Sequence, residues 1–90
     1  MKEKFTIDDR IKAVMEARGI APGKYTICHF VFPSEAEMIR FHYRLMNEGV
    51  SYLLFEHYEN ICRVAALPEQ AERILAVGRE FTDEFNAVRR

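Results

Sequence analysis

Val50-Ser51-Tyr52-Leu53-Leu54-Phe55-Glu56-His57-Tyr58, then Glu59-Asn60, then Ile61-Cys62-Arg63-Val64-Ala65-Ala66-Leu67: two runs rich in β-branched and aromatic residues are parted by only two polar ones. That gap predicts a tight β-hairpin. Asn60 suits the positive φ of a two-residue turn, and Glu59 is a poorer choice for the other central position. Pairing Tyr58 with Ile61 sets the rest by the period of two, so that Glu56 faces Arg63, Phe55 faces Val64, Leu53 faces Ala66 and His57 faces Cys62. The side holding Leu53, Phe55, Val64 and Ala66 is almost wholly apolar. The opposite side carries Tyr52, Leu54, Glu56 and Tyr58 against Ile61, Arg63 and Ala65.

Working outward, Lys24 to Phe32 reads as a buried strand bounded by Gly23 and Pro33. Ahead of it, Thr6-Ile7-Asp8-Asp9 opens a helix with an N-cap hydroxyl and an acid three residues on. Ile7, Ile11, Val14 and Met15 share one stripe of that helix, and Gly19 stops it. Ser34-Glu35-Ala36-Glu37 fits a capping box, in which Glu37 reaches back to the Ser34 amide, and it predicts a second helix to Glu48 with Gly49 as its left-handed terminus. Pro68 opens a third helix. Ala71, Ile74, Gly78, Phe81, Phe85 and Val88 recur at steps of three and four, which predicts that it runs to Val88. The order is therefore α-β-α-β-β-α, an α+β chain whose β-α-β-β-α portion is a split β-α-β arrangement lacking its last strand. Right-handed crossover predicts a ferredoxin-like sandwich: a three-stranded antiparallel sheet with the last strand in the middle, helices two and three on one face, and an additional N-terminal helix.

Ninety residues, 49% hydrophobic and 30% charged, suffice for one core, so residues 1–90 form a single domain. Thirteen Lys and Arg against 14 Asp and Glu leave a net charge of −1, which gives no field to gather nucleic acid or anionic lipid. No apolar run approaches the length of a membrane span, and Met1-Lys2-Glu3-Lys4-Phe5 lacks the apolar core of a secretory segment. A cytoplasmic protein with Cys28 and Cys62 reduced is the expectation.

The hairpin's outer side continues into Tyr25, Ile27, His29 and Val31 of the first strand, and it is too apolar to face water. Either the first helix or a second copy covers it. Met38, Ile39, Phe41, Tyr43, Leu45 and Met46 spread over more than half of the second helix, more than one sheet can bury. Phe41, Tyr43, Phe81 and Phe85 are therefore interface candidates for a two-fold homodimer.

Catalytic signals are sparse. Cys28 and His29 are adjacent in a strand and point to opposite faces. His57 and Cys62 meet across the hairpin, yet two ligands do not make a zinc site, and neither CxxC nor HxxxH spacing occurs; they read as structural residues, and no metal is expected. His42, central in the apolar arc of its helix, reads as a hydrogen-bonded core or interface histidine. No glycine loop, nucleophile elbow or paired catalytic carboxylate points to a cofactor or a reaction. Tyr25, His29, Tyr52, Glu56, Tyr58 and Arg63 form the one cluster that joins an acid, a base and hydrogen-bonding aromatics, and they make the candidate ligand or partner face. The leading expectation is a non-enzymatic protein-interaction or regulatory module, a homo-oligomeric inhibitor or adaptor that occludes a partner surface. The alternative is a small-molecule sensor or small enzyme using that cluster as a cleft. An RNA-binding sheet comes third, because aromatics and an arginine on strands can stack bases, but basic character is missing.

Overall fold

Each predicted start signal produces its element in the computed structural model, which describes residues 6–90. Met1 to Phe5, on which the expectation of no secretory segment rests, lie outside them. Thr6 caps α1 (Ile7–Ala17): its hydroxyl accepts from the Asp9 amide at 3.1 Å, and Asp9 accepts from the Thr6 amide at 3.1 Å. After β1 (Thr26–Val31), Ser34 caps α2 (Glu35–Asn47) by accepting from the Glu37 amide at 3.3 Å. Glu37 does not reach back to complete a box, because its carboxylate binds Arg40 at 2.9 Å. The hairpin follows as β2 (Leu54–Tyr58) and β3 (Ile61–Ala66), and Pro68 opens α3 (Pro68–Gly78).

The hairpin register is Tyr58 with Ile61, His57 with Cys62, Glu56 with Arg63 and Phe55 with Val64, as the alternation requires. Its turn differs in detail. The positive φ, 55°, belongs to Glu59, while Asn60 works through its side chain, donating from Nδ2 to the Phe32 carbonyl at 2.8 Å and so clamping the turn to the end of β1. At the other end the alternation breaks. Leu53 donates its amide to the Ala65 carbonyl at 2.7 Å, and Leu54 is the register partner of the same Ala65. Two residues thus address one, as in a β-bulge, and Leu53 turns to the opposite face from the one expected.

The larger correction concerns the end of the chain. The third helix does not run to Val88: it stops at Gly78, and residues Glu84–Arg89 form β4, so the sheet has four strands where three were expected. They lie in the order β2-β3-β1-β4, antiparallel throughout, and each helix crossover skips one strand. The cause is local. A Cβ on Gly78 would sit 2.2 Å from Cε1 of Phe30, so only glycine lets α3 lie this close to the sheet. From there the chain turns, with the amides of Phe81 and Thr82 both donating to the Gly78 carbonyl. Thr82 then donates its hydroxyl to the Val31 carbonyl at 2.6 Å and accepts from the Glu84 amide at 3.0 Å, which lays β4 beside β1.

Helices α2 and α3 pack one face of the sheet, around Cys28, Phe30, Phe32, Cys62, Val64 and Ala66. Phe41 is fully buried there, its ring 4.9 Å from Phe30 and 5.1 Å from Phe32, so it cannot serve as an interface residue. Phe81 and Phe85 also fail as a helical docking stripe: Phe81 packs edge-on against Phe41 from the turn, and Phe85 lies on β4 against Phe30. Of the interface candidates only Tyr43 is open, on an outer stripe of α2 with Ile39 and Met46. Helix α1 packs the opposite face through Ile11 and Met15.

Helix propensity alone favours alanine over glycine at position 78 by roughly 0.5–1 kcal/mol. The contact with Phe30 reverses that sign. Gly78→Ala is expected to destabilise by about 1–3 kcal/mol in chemical denaturation, and combining it with Phe30→Leu should cost less than the sum of the two single changes.

Candidate functional site

Antiparallel partners share a face, so the outer side of the sheet can be read as rows running across all four strands. The first is Leu54, Ala65, Ile27 and Val88; the second is Glu56, Arg63, His29 and Asn86; the third is Tyr58, Ile61, Val31 and Glu84. Helix α1 lies over the first row except for Val88, Ile11 and Met15 meeting Tyr25, Ile27, Leu53 and Ala65. It leaves the second and third rows open. Tyr58 is 73% exposed and Ile61 39%, and between them and α1 runs the polar row.

That row is held by charge. Glu56 receives Arg63 from the next strand and Arg10 from α1, the latter at 3.0 Å, so one carboxylate joins two guanidinium groups. Alongside lie His29 and, on β4, Asn86. A groove of about 470 Å³ lies along the hairpin end of this row, lined by His29, Glu56, His57, Tyr58, Ile61 and Arg63 among others, with Arg10 and Asn86 outside its lining. The arrangement can donate hydrogen bonds from two arginines and accept or donate at an imidazole, while the single acid is already engaged by both arginines.

Four of the six residues expected on this face, His29, Glu56, Tyr58 and Arg63, therefore come together in the groove. Tyr25 does not join them: it is buried beneath α1, and its hydroxyl donates to the Asp8 carboxylate. Burial first, and then Asp8, pushes that hydroxyl up to about 12. Tyr52 is placed on the other side of the sheet, because the bulge at Leu53 and Leu54 resets the alternation ahead of β2. There its hydroxyl meets Nε2 of His42 at 3.2 Å, and the His42 ring stacks on Phe55 with centroids 3.9 Å apart. His42 is thus a hydrogen-bonded histidine at the edge of the core. Arg10, through Glu56, and Asn86, beside His29, border the site without having been singled out in the sequence. Nothing in the stripe of α1 marks Arg10 as reaching the sheet, and Asn86 is hidden by the helical spacing of its neighbours.

His57 and Cys62 are register partners, yet His57 is exposed and Cys62 is buried. Burial pushes the Cys62 thiol up to about 12, with Cys28 adding to the shift, and burial does the same to Cys28. Neither is poised as a thiolate. Among the described residues no three His, Cys, Asp or Glu side chains are grouped so as to hold a metal ion. Comparison with known proteins finds no matching family model, no significantly similar curated protein and no significantly similar solved structure.

Two outcomes test this electrostatic picture. Burial, and then the nearby His57, holds the His42 imidazole below its ordinary 6.5, so the folded chain binds that proton more weakly than the unfolded chain does. Stability tied to neutral His42 is complete above pH 6.5 and is lost as the pH falls through and below that value. The urea midpoint should drop on going from neutral pH to about pH 5.5, and His42→Gln should flatten that slope. Both thiols should be inert to a thiol reagent at about pH 8 in the native protein, and two per chain should titrate in denaturant.

Proposed function

We propose that this chain is a ferredoxin-like, non-enzymatic protein-interaction module of the cytoplasm, working as a homo-oligomer and meeting a partner protein with the open half of its sheet. The observation that carries the reading is the division of the outer face: α1 buries the Tyr25, Ile27 and Leu54 end, while Tyr58, Ile61 and Val88 stay exposed around the Glu56, Arg63, His29 and Asn86 row. Exposed aromatic and aliphatic side chains beside an arginine are what the centres of protein interfaces use. The strand order, with each crossover helix skipping one strand, supports the ferredoxin-like description. Two buried free thiols suit a reducing compartment. No described helix is long and apolar enough to cross a membrane.

A second reading, a small-molecule sensor or small enzyme, draws on the groove beside Glu56, where Arg10, Arg63 and His29 supply donors for a small anionic ligand. It has less to build on, since both arginines already share the same carboxylate. The RNA-binding reading has least, because Tyr58 and His29 are the two ring side chains among the three outer rows and the net charge is −1.

The test is the double substitution Tyr58→Glu with Ile61→Glu. Both side chains are exposed, so unfolding free energy should change by less than about 1 kcal/mol. Proteins that copurify with the wild-type chain from its source should be lost. An unchanged set of copurifying proteins would sink the interaction reading. A metabolite that raises the wild-type melting temperature, but not that of Arg63→Ala, would favour the groove instead.

A further inference from the structure

The sheet has two edges, and they are built differently. At β2 the edge is blunted: the strand is five residues long, it begins in the bulge at Leu53 and Leu54, and α1 is tied to it through Arg10 and Glu56. At β4 the strand is regular, and α1 reaches only the residue beyond its end, through Asp8 and Arg90. Its six residues pair with β1 one to one in unbroken register, from Val31 with Glu84 to Thr26 with Arg89, and contain neither bulge nor proline.

The phase of its hydrogen bonds is set by the Arg90 amide, which donates to the Tyr25 carbonyl at 2.9 Å. Antiparallel ladders alternate, so Val88 and Asn86 spend their backbone groups on β1 and the Glu84 amide goes to the Thr82 hydroxyl, while Phe85, Ala87 and Arg89 turn theirs to the open edge. An edge with alternate residues free in this way accepts another strand.

We infer that β4 is where two copies of this chain join, antiparallel and about a two-fold axis at Ala87, so that their sheets become one continuous sheet. Self-complementarity selects both the occupant and the register. With Ala87 opposite Ala87, the hydrogen-bonded pairs are Phe85 with Arg89, Ala87 with Ala87 and Arg89 with Phe85, all of them residues whose backbone groups are free. Between them Asn86 lies opposite Val88, and Glu84 opposite Arg90, on the outer face and twice over by symmetry. Arg90 is already held toward that face by Asp8, 3.4 Å from its Nε, and Glu84 has no ion pair among the described residues. Sliding the strands by two residues in either direction destroys the match, leaving Glu84 opposite Val88 or Asn86 opposite Arg90. Val88, 43% exposed in the single chain, becomes covered at the seam. The inference rests on the homo-oligomeric part of the function proposed above and adds its geometry: two open half-faces set side by side.

The test is the mass of the full chain by light scattering at tens of micromolar, where twice the 10.6 kDa chain mass is expected. Ala87→Pro removes an outward amide that β1 does not use, so the variant should keep the wild-type circular dichroism and fall to the single-chain mass. Should that variant fail to fold, the charge pair decides: Glu84→Arg and Arg90→Glu should each weaken the dimer, by roughly 2- to 30-fold for two exposed ion pairs lost, and together restore it. A wild-type monomer at 100 µM would overturn both this inference and the homo-oligomeric reading. A folded Ala87→Pro that stays dimeric overturns the edge inference alone, as does a charge swap without effect. If that dimer is instead lost with Tyr58→Glu and Ile61→Glu, the assembly forms through the open face.

Discussion

The ring of Phe30 occupies the space that a side chain at position 78 would need, and the rest of the molecule is arranged around that contact. Phe30 is wholly buried, surrounded by the rings of Phe32, Phe41 and Phe85, so it has nowhere to move. Glycine is the residue that lets α3 approach so closely, and the place where α3 approaches is also where the chain leaves it. The turn through Phe81 and Thr82 then delivers β4 to the free side of β1. Had the helix continued, β1 would have been an edge strand, with its row of apolar residues paired on one side only.

A second division of labour runs across the sheet. The inner face is a conventional core, while the outer face is covered over only part of its length, and the boundary falls on the row joining Glu56, Arg63, His29 and Asn86. Ion pairs this exposed contribute about 0–1 kcal/mol each, so Arg10 and Glu56 do little for overall stability. Their effect is positional: they pin the start of α1 to the sheet and mark where its cover ends and the open surface begins. The thiols, whose adjacency to histidine in the sequence suggests chemistry, are withdrawn into the core and kept protonated by burial.

Much of this was legible in the sequence where a short-range rule had a long-range consequence. The two-residue gap at Glu59-Asn60 settles the hairpin register, and with it the meeting of Glu56 with Arg63 and of Tyr58 with Ile61. The alternation also brings His29 beside them through β1. Tyr52 was misplaced because a bulge adds one residue without any mark in composition, and one residue is enough to move a side chain to the opposite face. Tyr25 and Phe41 are different failures: Phe41 lies on its expected helix and Tyr25 just ahead of β1, but only the tertiary packing reveals what lies over each. The fourth strand was hidden by coincidence. Phe81, Phe85 and Val88 satisfy a helical spacing, while Phe85 and Ala87 against Asn86 and Val88 equally satisfy a period of two, and pairing with β1 decides between them.

The turn at Thr82 also has a consequence for how the protein is made. Strand β1 leaves the ribosome more than fifty residues ahead of β4, so Thr26-Ile27-Cys28-His29-Phe30-Val31 spends that interval with one side of its backbone unpaired. The hairpin can form and dock through β3 while the nascent chain is still tethered, which covers the other side early. The remaining side waits for Glu84–Arg89, and without that segment β1 is an apolar strand with one side unpaired, open to pairing with any similar chain nearby. Emergence of Glu84–Arg89 is thus the step that pairs the free side of β1, and translation pausing ahead of that segment prolongs the hazard.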